Sequence, residues 1–289
     1  MRISEAFDMY KDDFILFSNQ SPKTVEMHEL AKTNLLKFFK AKIGVEDLEL
    51  NQFTVGIAQK WKCWLEYDGE NQRRQNTVRG YIIKLRDVLR YCNKRGVECL
   101  DVDLIPVPKR QSVVPTFLTA EEVRAMIEHA CNPRAKFIIS LLYASGIRLS
   151  ELLSLNRDQI VEKRFTVIGK GDKPRLCFID DRTEQLMNEY LATRTDRNDA
   201  LVISFEHKDR MTATNVQLVV RNAARRAGIN KKVTPHTLRH SYATNFLKNN
   251  GNMRYLCQSM GHVSMDTTAM YAHVVDADLE DQYRKFHTI

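Results

Sequence analysis

At 289 residues, 43% apolar and 28% charged, the chain is long enough for two ordinary domains with real cores, and its net charge of +8 favours a polyanionic partner, nucleic acid first. No apolar run approaches the roughly 18 residues of a membrane span, and MRISEAFDMYKDDF has neither an uninterrupted apolar core nor a small-residue cleavage site, so neither a signal peptide nor a membrane partner is expected. The cysteines, Cys63, Cys92, Cys99, Cys131, Cys177 and Cys257, form no C-x-x-C pair, which disfavours metal fingers and a disulfide framework and fits a reducing cytoplasm.

Residues 1–107 read as all-helical. SPKTVEMHELAKTNLLKFF opens with Ser21 as N-cap and Pro22 at the first helical position, after which Met27, Leu30, Ala31, Leu35 and Phe38 recur at helical spacing. FTVGIAQKWKCWLEY is a second helix. NTVRGYIIKLRDVLRYCNKRG is the clearest: Val78, Tyr81, Ile82, Leu85, Val88, Leu89 and Cys92 define a core face, and Gly96 ends it. Arg79, Arg86 and Arg90 fall on a narrow stripe of another face, either a solvated basic face or an edge that contacts phosphates. PVPKRQSVVP, with three prolines and no apolar periodicity, is an extended linker, placed at 108–115.

The second domain, 116–289, starts at FLTAEEV, where Thr119 and Glu122 have the spacing of a capping box. RAKFIISLLYASGIRLSELLSL is a buried helix broken near Ser145 and Gly146, with a second helix from about Ser150. RFTVIGKGDKPRLCFI is a β-hairpin around a Gly-Lys-Gly-Asp-Lys turn. TATNVQLVVRNAARRAGI is a helix ended by Gly228, with Arg221, Arg225 and Arg226 near its end. TPHTLRHSYATNFLKNNG follows with Thr234 as N-cap and Pro235 at the first position, and NMRYLCQSMG is a short helix stopped by Gly261. Ser264 can cap the last segment, which carries Tyr271.

Within the helix after Thr234, His236, Arg239 and His240 stand at i, i+3 and i+4 and share a face. Two imidazoles and a guanidinium suit a phosphate better than a core. A solvated face and a zinc site are the alternatives. Thr237 stands where H-E-x-x-H needs its glutamate, and an arginine between the ligands repels a cation, so zinc is disfavoured. Arg148 taken alone is a surface arginine or a partner of Glu151, and Lys170 and Lys173 are ordinary turn residues. Tyr271 alone is a core aromatic with its hydroxyl bonded.

In combination these features read differently. SGIRLSELLSL, VIGKGDKPR, PHTLRHSYAT and MGHVSMDTTAMYAHV resemble, in order and spacing, the active-site blocks of the tyrosine recombinases, and most resemble the Xer type of single-chain recombinase. The resemblance covers essentially the whole chain. It implies a mainly α protein: a SAM-like helical core-binding domain, then an α-rich catalytic domain with a small β-hairpin. It further implies that Arg148 and Arg239 clamp the scissile phosphate, His262 adds a donor, Lys170 protonates the leaving oxygen, His236 assists deprotonation, and Tyr271 is the nucleophile. Lys173 remains a rival to Lys170. Neither a metal nor ATP is required by such chemistry, so no cofactor is expected. His240 and His273 match family residues read as packing, and Glu151 one that orients an arginine.

Met260 stands where the family more often has leucine, and NNGNMRY lacks the acidic and small residues common there. The implied partner is double-stranded DNA with inverted half-sites, bound by a homo-tetramer or a hetero-tetramer with a second recombinase, in the cytoplasm at the nucleoid. Arg79, Arg86, Arg90, Arg225 and Arg226 are candidate phosphate contacts. The tail DADLEDQYRKFHTI suits docking on a neighbouring subunit, or packing on its own domain. The length leaves no room for an added arm-binding domain. The implied role is resolution of chromosome dimers or integration and excision of a mobile element. A telomere resolvase, a type IB topoisomerase-like enzyme and a non-catalytic DNA-binding protein are the alternatives; the last has no need of Tyr271.

Overall fold

The computed structural model describes residues 1–18, 20–68, 72–111, 115–169 and 173–261. It divides into two compact units, Met1–Val113 and Val114–Ile289. The protein is mainly α-helical, with one small antiparallel sheet among the described residues. None of the described helices is long and apolar enough to cross a membrane.

The first unit contains α1 (Ile3–Tyr10), α2 (Pro22–Phe38), α3 (Val55–Tyr67) and α4 (Gln75–Lys94). Ser21 caps α2 by accepting from the Thr24 N–H, and Pro22 occupies the first turn, where its missing donor costs nothing. The core gathers Phe7, Phe38, Phe39, Trp61 and the seven α4 residues read from periodicity, Val78 through Cys92. The α2 stripe differs from the expected one. Leu30 is exposed, and His28 is buried in the seam, with Nε2 2.8 Å from the Phe7 carbonyl. A satisfied polar ring there ties α2 to α1, a choice that apolar periodicity does not reveal.

The second unit contains α5 (Ala120–Glu128), α6 (Pro133–Ser145), α7 (Leu149–Ser154), β1 (Arg164–Ile168), β2 (Pro174–Phe178), α8 (Asp181–Ala192), α9 (Ala213–Arg226), α10 (Pro235–Lys248) and α11 (Met253–Met260). Thr119 and Glu122 form the capping box that starts α5. Helix α6 is buried almost all round, through Phe137, Ile138, Ile139, Leu141 and Leu142, and packs against α5, α8, α9 and α10. It is the central post of the unit, and α7 continues from its C-terminus.

Strands β1 and β2 pair in the register Phe165 with Cys177 and Val167 with Arg175. Alternation turns these four side chains inward. Arg175 thus occupies a place on the buried face that an apolar residue would ordinarily fill.

Candidate active site

The break between α6 and α7 sets the position of Arg148. Gly146 ends α6 in the left-handed region, at φ 62°, and a Cβ there would lie 2.4 Å from the Tyr242 ring. Only glycine meets both conditions without displacing its neighbour. Two residues on, Arg148 is the extended N-cap residue of α7. Its N–H donates to Glu151 Oε2 at 2.6 Å and its Nη1 to Glu151 Oε1 at 2.8 Å. Glu151, from the first turn of α7, thereby fixes both the backbone and the guanidinium of Arg148.

Arg239 comes from α10, whose N-cap Thr234 accepts from the Thr237 N–H at 3.2 Å. Its guanidinium is buried. Nη1 donates to the Gly146 carbonyl, and Nη2 donates to the Met260 carbonyl at 2.6 Å. Arg148 Nη2 approaches the neighbouring carbonyl, that of Gly261, at 3.4 Å. Two guanidiniums from different helices thus meet at the last turn of α11.

The face shared by His236, Arg239 and His240 is split by depth. His236 is exposed, Arg239 buried and His240 half-buried. Burial, reinforced by the nearby His236 and Arg239 charges, pushes the His240 imidazole down to about 4, so near pH 7 it is neutral. That fits packing and hydrogen bonding better than proton transfer.

Lys170, His262, Tyr271 and His273 lie outside the described residues, as does the tail from 276 to 289. The residues leading into Lys170 and His262 are placed. Gly169 donates its N–H to the Lys173 carbonyl at 3.0 Å, next to Lys170. Gly261, at φ 59°, caps α11 immediately before His262. The Lys173 side chain is exposed. A cleft bounded by Gly169, Lys173, Arg175, Tyr255 and Gly261 opens between the hairpin and α11.

Sequence reading missed Arg175. It binds Glu151 through both terminal guanidinium nitrogens, Nη1 to Oε1 at 2.7 Å and Nη2 to Oε2 at 2.6 Å, and its Nε donates to the Ser259 carbonyl at 2.8 Å. Burial alone works to raise the Glu151 pKa. The Arg175 hydrogen bonds, the Arg148 N–H and the two positive charges outweigh it and hold the carboxyl down at about 2. Among the described residues, Arg148 and Arg175 share the Glu151 carboxylate, while Arg239 lies on the Gly146 and Met260 carbonyls. The available signal was β alternation: once Phe165 and Val167 are assigned inward, pairing forces Arg175 inward too.

The basic stripes separate into three kinds of site. Arg86, with its side chain 14% exposed, donates Nη1 to the carbonyls of Val102 and Ile105 and pairs with Asp103 at 3.2 Å. It staples the turn after α4, a use that its place on the expected phosphate-facing stripe does not announce. Arg79 donates to the Pro108 carbonyl at 3.3 Å. Arg90 is 46% exposed and, among the described residues, pairs along its own helix with Asp87 at 3.3 Å. Arg225 and Arg226 project from the last turn of α9 into solvent.

The sequence profile of the phage integrase family matches residues 116–278, and with it the chain belongs to that family. It is a Xer-like tyrosine recombinase, an enzyme of site-specific recombination through DNA cleavage. The tyrosine recombinase XerD of Oceanobacillus iheyensis is 32% identical over 225 residues, spanning 73% of this chain and 75% of that protein. A tyrosine recombinase of Thermosipho africanus is 27% identical over 292 residues, 98% of this chain and all of that one. In fold, the chain is similar to a lambda integrase dimer bound to a COC′ core site, at a TM-score of 0.75 and 17% identity over 94% of this chain and 77% of that one.

Proposed function

We propose that residues 116–289 cut and rejoin DNA through a covalent 3′-phosphotyrosine, and that 1–107, joined by the 108–115 linker, add contacts to the same duplex. One observation carries the reading: Arg148 and Arg239, from separate helices, converge on the adjacent Gly261 and Met260 carbonyls, at the doorstep of His262.

In the proposed step, the Tyr271 hydroxyl attacks the scissile phosphorus. A phosphorus–tyrosine bond forms, and the bond to the 5′ oxygen breaks. The phenol, with an ordinary pKa of about 10, gives up its proton to His236. Lys170 delivers a proton to the departing 5′ oxygen. Arg148 and Arg239 stabilise the charge that spreads over the nonbridging oxygens, and His262 adds a donor. The phosphotyrosine keeps the energy of the broken backbone, so a 5′ hydroxyl reseals it without ATP. The guanidiniums, ammonium and imidazoles supply the electrostatics for which many nucleases use metal ions, and the step as drawn needs none.

The substrate class is double-stranded DNA with short inverted half-sites. Two such sites exchange strands through a Holliday junction held by four subunits, either all of this chain or shared with a second recombinase. The setting is the nucleoid. Resolution of chromosome dimers and movement of a mobile element both use this chemistry.

The test begins with DNA recovered on the protein from its host. A nicked suicide substrate carrying that sequence should trap a covalent adduct with the wild-type protein, in EDTA as well as without it, and no adduct with Tyr271→Phe, which should still bind the duplex. Adducts that persist in Tyr271→Phe would remove the nucleophile from the scheme. Relaxation of any supercoiled plasmid without strand exchange between two sites would favour a topoisomerase-like role.

A further inference from the structure

We infer that Arg175 is a positioning residue for cleavage, which aims the Arg148 guanidinium through Glu151. The inference rests on the reading of the pocket given above.

The geometry is that of a keystone. Arg175 spends Nη1 and Nη2 on the two oxygens of Glu151 and Nε on the Ser259 carbonyl, with its side chain only 7% exposed. Each Glu151 oxygen therefore receives one bond from Arg175 and one from Arg148. Rotation of the carboxylate would break bonds on both sides, so Arg175 fixes its plane, and that plane fixes Arg148. The same side chain abuts the two glycines that precede Lys170 and His262 in sequence. A methyl at Gly261 would lie 3.1 Å from its Cδ and Nη1, and one at Gly169 would lie 3.4 Å from Nη1. Three segments, those that carry Arg148, Lys170 and His262, thus abut one guanidinium.

An apolar residue would complete the inner face of the hairpin beside Phe165, Val167 and Cys177. Arginine at this place brings a charge that must be desolvated and matched, which argues for a use beyond filling space. Its planar fork is also specific. A lysine keeps the charge opposite Glu151, but its single ammonium cannot hold both carboxylate oxygens and the Ser259 carbonyl in one geometry.

The experiment is single-turnover cleavage by the full-length chain on its own DNA site, comparing wild type, Arg175→Lys, Arg148→Lys and the double variant. Arg175→Lys should cut about 100-fold more slowly, the scale of loss that a small misplacement of a reacting group produces. Duplex affinity should stay near wild type. In the Arg148→Lys background the same change should cost less than about threefold, because the group it aims is already gone. A merely structural role would slow both backgrounds equally, and that result overturns the inference; so does Arg175→Lys cleavage within about threefold of wild type. If Arg175→Lys does not fold, Arg175→Met combined with Glu151→Gln removes both buried charges at matched size, and the same two-background comparison decides. A wild-type protein that forms no phosphotyrosyl adduct, or a Tyr271→Phe variant that forms one, would defeat the reading of the pocket and is seen separately from any effect at Arg175.

Discussion

Arg239 on α10 donates to the carbonyl of Gly146, the residue whose left-handed turn ends α6 two positions ahead of Arg148. One backbone join therefore serves both arginines of the proposed clamp. Gly146→Ala strains it twice, through φ 62° and through a Cβ 2.4 Å from the Tyr242 ring. The variant should lose about 2 kcal/mol or more of stability in denaturant titration, and cleavage should fall further than stability alone explains. A loss under about 0.5 kcal/mol would mean that the turn relaxes freely.

Arg239→Lys keeps the charge and loses the fork. The guanidinium spans the carbonyls of Gly146 and Met260, on segments that lead to Arg148 and His262 respectively. A single ammonium cannot bridge both and also face a phosphate. Single-turnover cleavage should drop by about 100-fold or more while duplex binding changes little, since the lost interaction matters most in the transition state. Equal losses in binding and cleavage would show that Arg239 holds ground-state DNA instead.

Glu151 gives the second unit a distinct acid sensitivity. Its pKa is held down at about 2 in the fold, against an ordinary glutamate value near 4.3 when unfolded. A depressed carboxyl stabilises the fold fully above its unfolded pKa, and that contribution is lost as pH falls through the window from about 4.3 to about 2. The contribution is of order 3 kcal/mol at neutral pH. Thermal midpoints recorded from pH 7 down to pH 3 should fall more steeply for wild type than for Glu151→Gln, which has no proton to take up. Parallel curves would mean that the ion pair with Arg175 does not persist in solution.

Much of this architecture was open to a reader of the sequence, for physical reasons that can be named. Helix α4 was legible because its apolar period is strict and uninterrupted, and the starts of α2, α5 and α10 because Ser21, Thr119 and Thr234 announce caps. The break before Arg148 was visible in Ser145 and Gly146. Helices α1 and α8 are not announced in the same way: α1 spans only eight residues at the start of the chain, and the Asp180 cap of α8 follows directly on the hairpin. His28 and Arg175 escaped for one shared reason. Both are polar residues on buried faces, and their partners, the Phe7 carbonyl and Glu151, lie 21 and 24 residues away. Periodicity marks such positions as exceptions but says nothing of the partner that makes them tolerable. The proximity of Arg148 and Arg239 was legible only through resemblance, because 91 residues of chain separate them.

The basic residues of the two units should divide by function in a salt titration. Arg90, Arg225 and Arg226 are exposed, so each is available to a phosphate. Replacing a phosphate-contacting one of them by alanine should lower the slope of log K against log salt by about one, with similar loss on every duplex. Arg86 has the same place on the α4 stripe but a different employment, since its guanidinium serves the Val102 and Ile105 carbonyls and Asp103. Arg86→Ala should leave the salt slope unchanged and cost about 1–3 kcal/mol in the stability of the first unit, as backbone acceptors lose their donors. A lowered slope at full stability for Arg86→Ala would show that DNA draws this arginine away from its own fold. An unchanged slope for Arg90→Ala, Arg225→Ala and Arg226→Ala together would move the phosphate contacts to other faces.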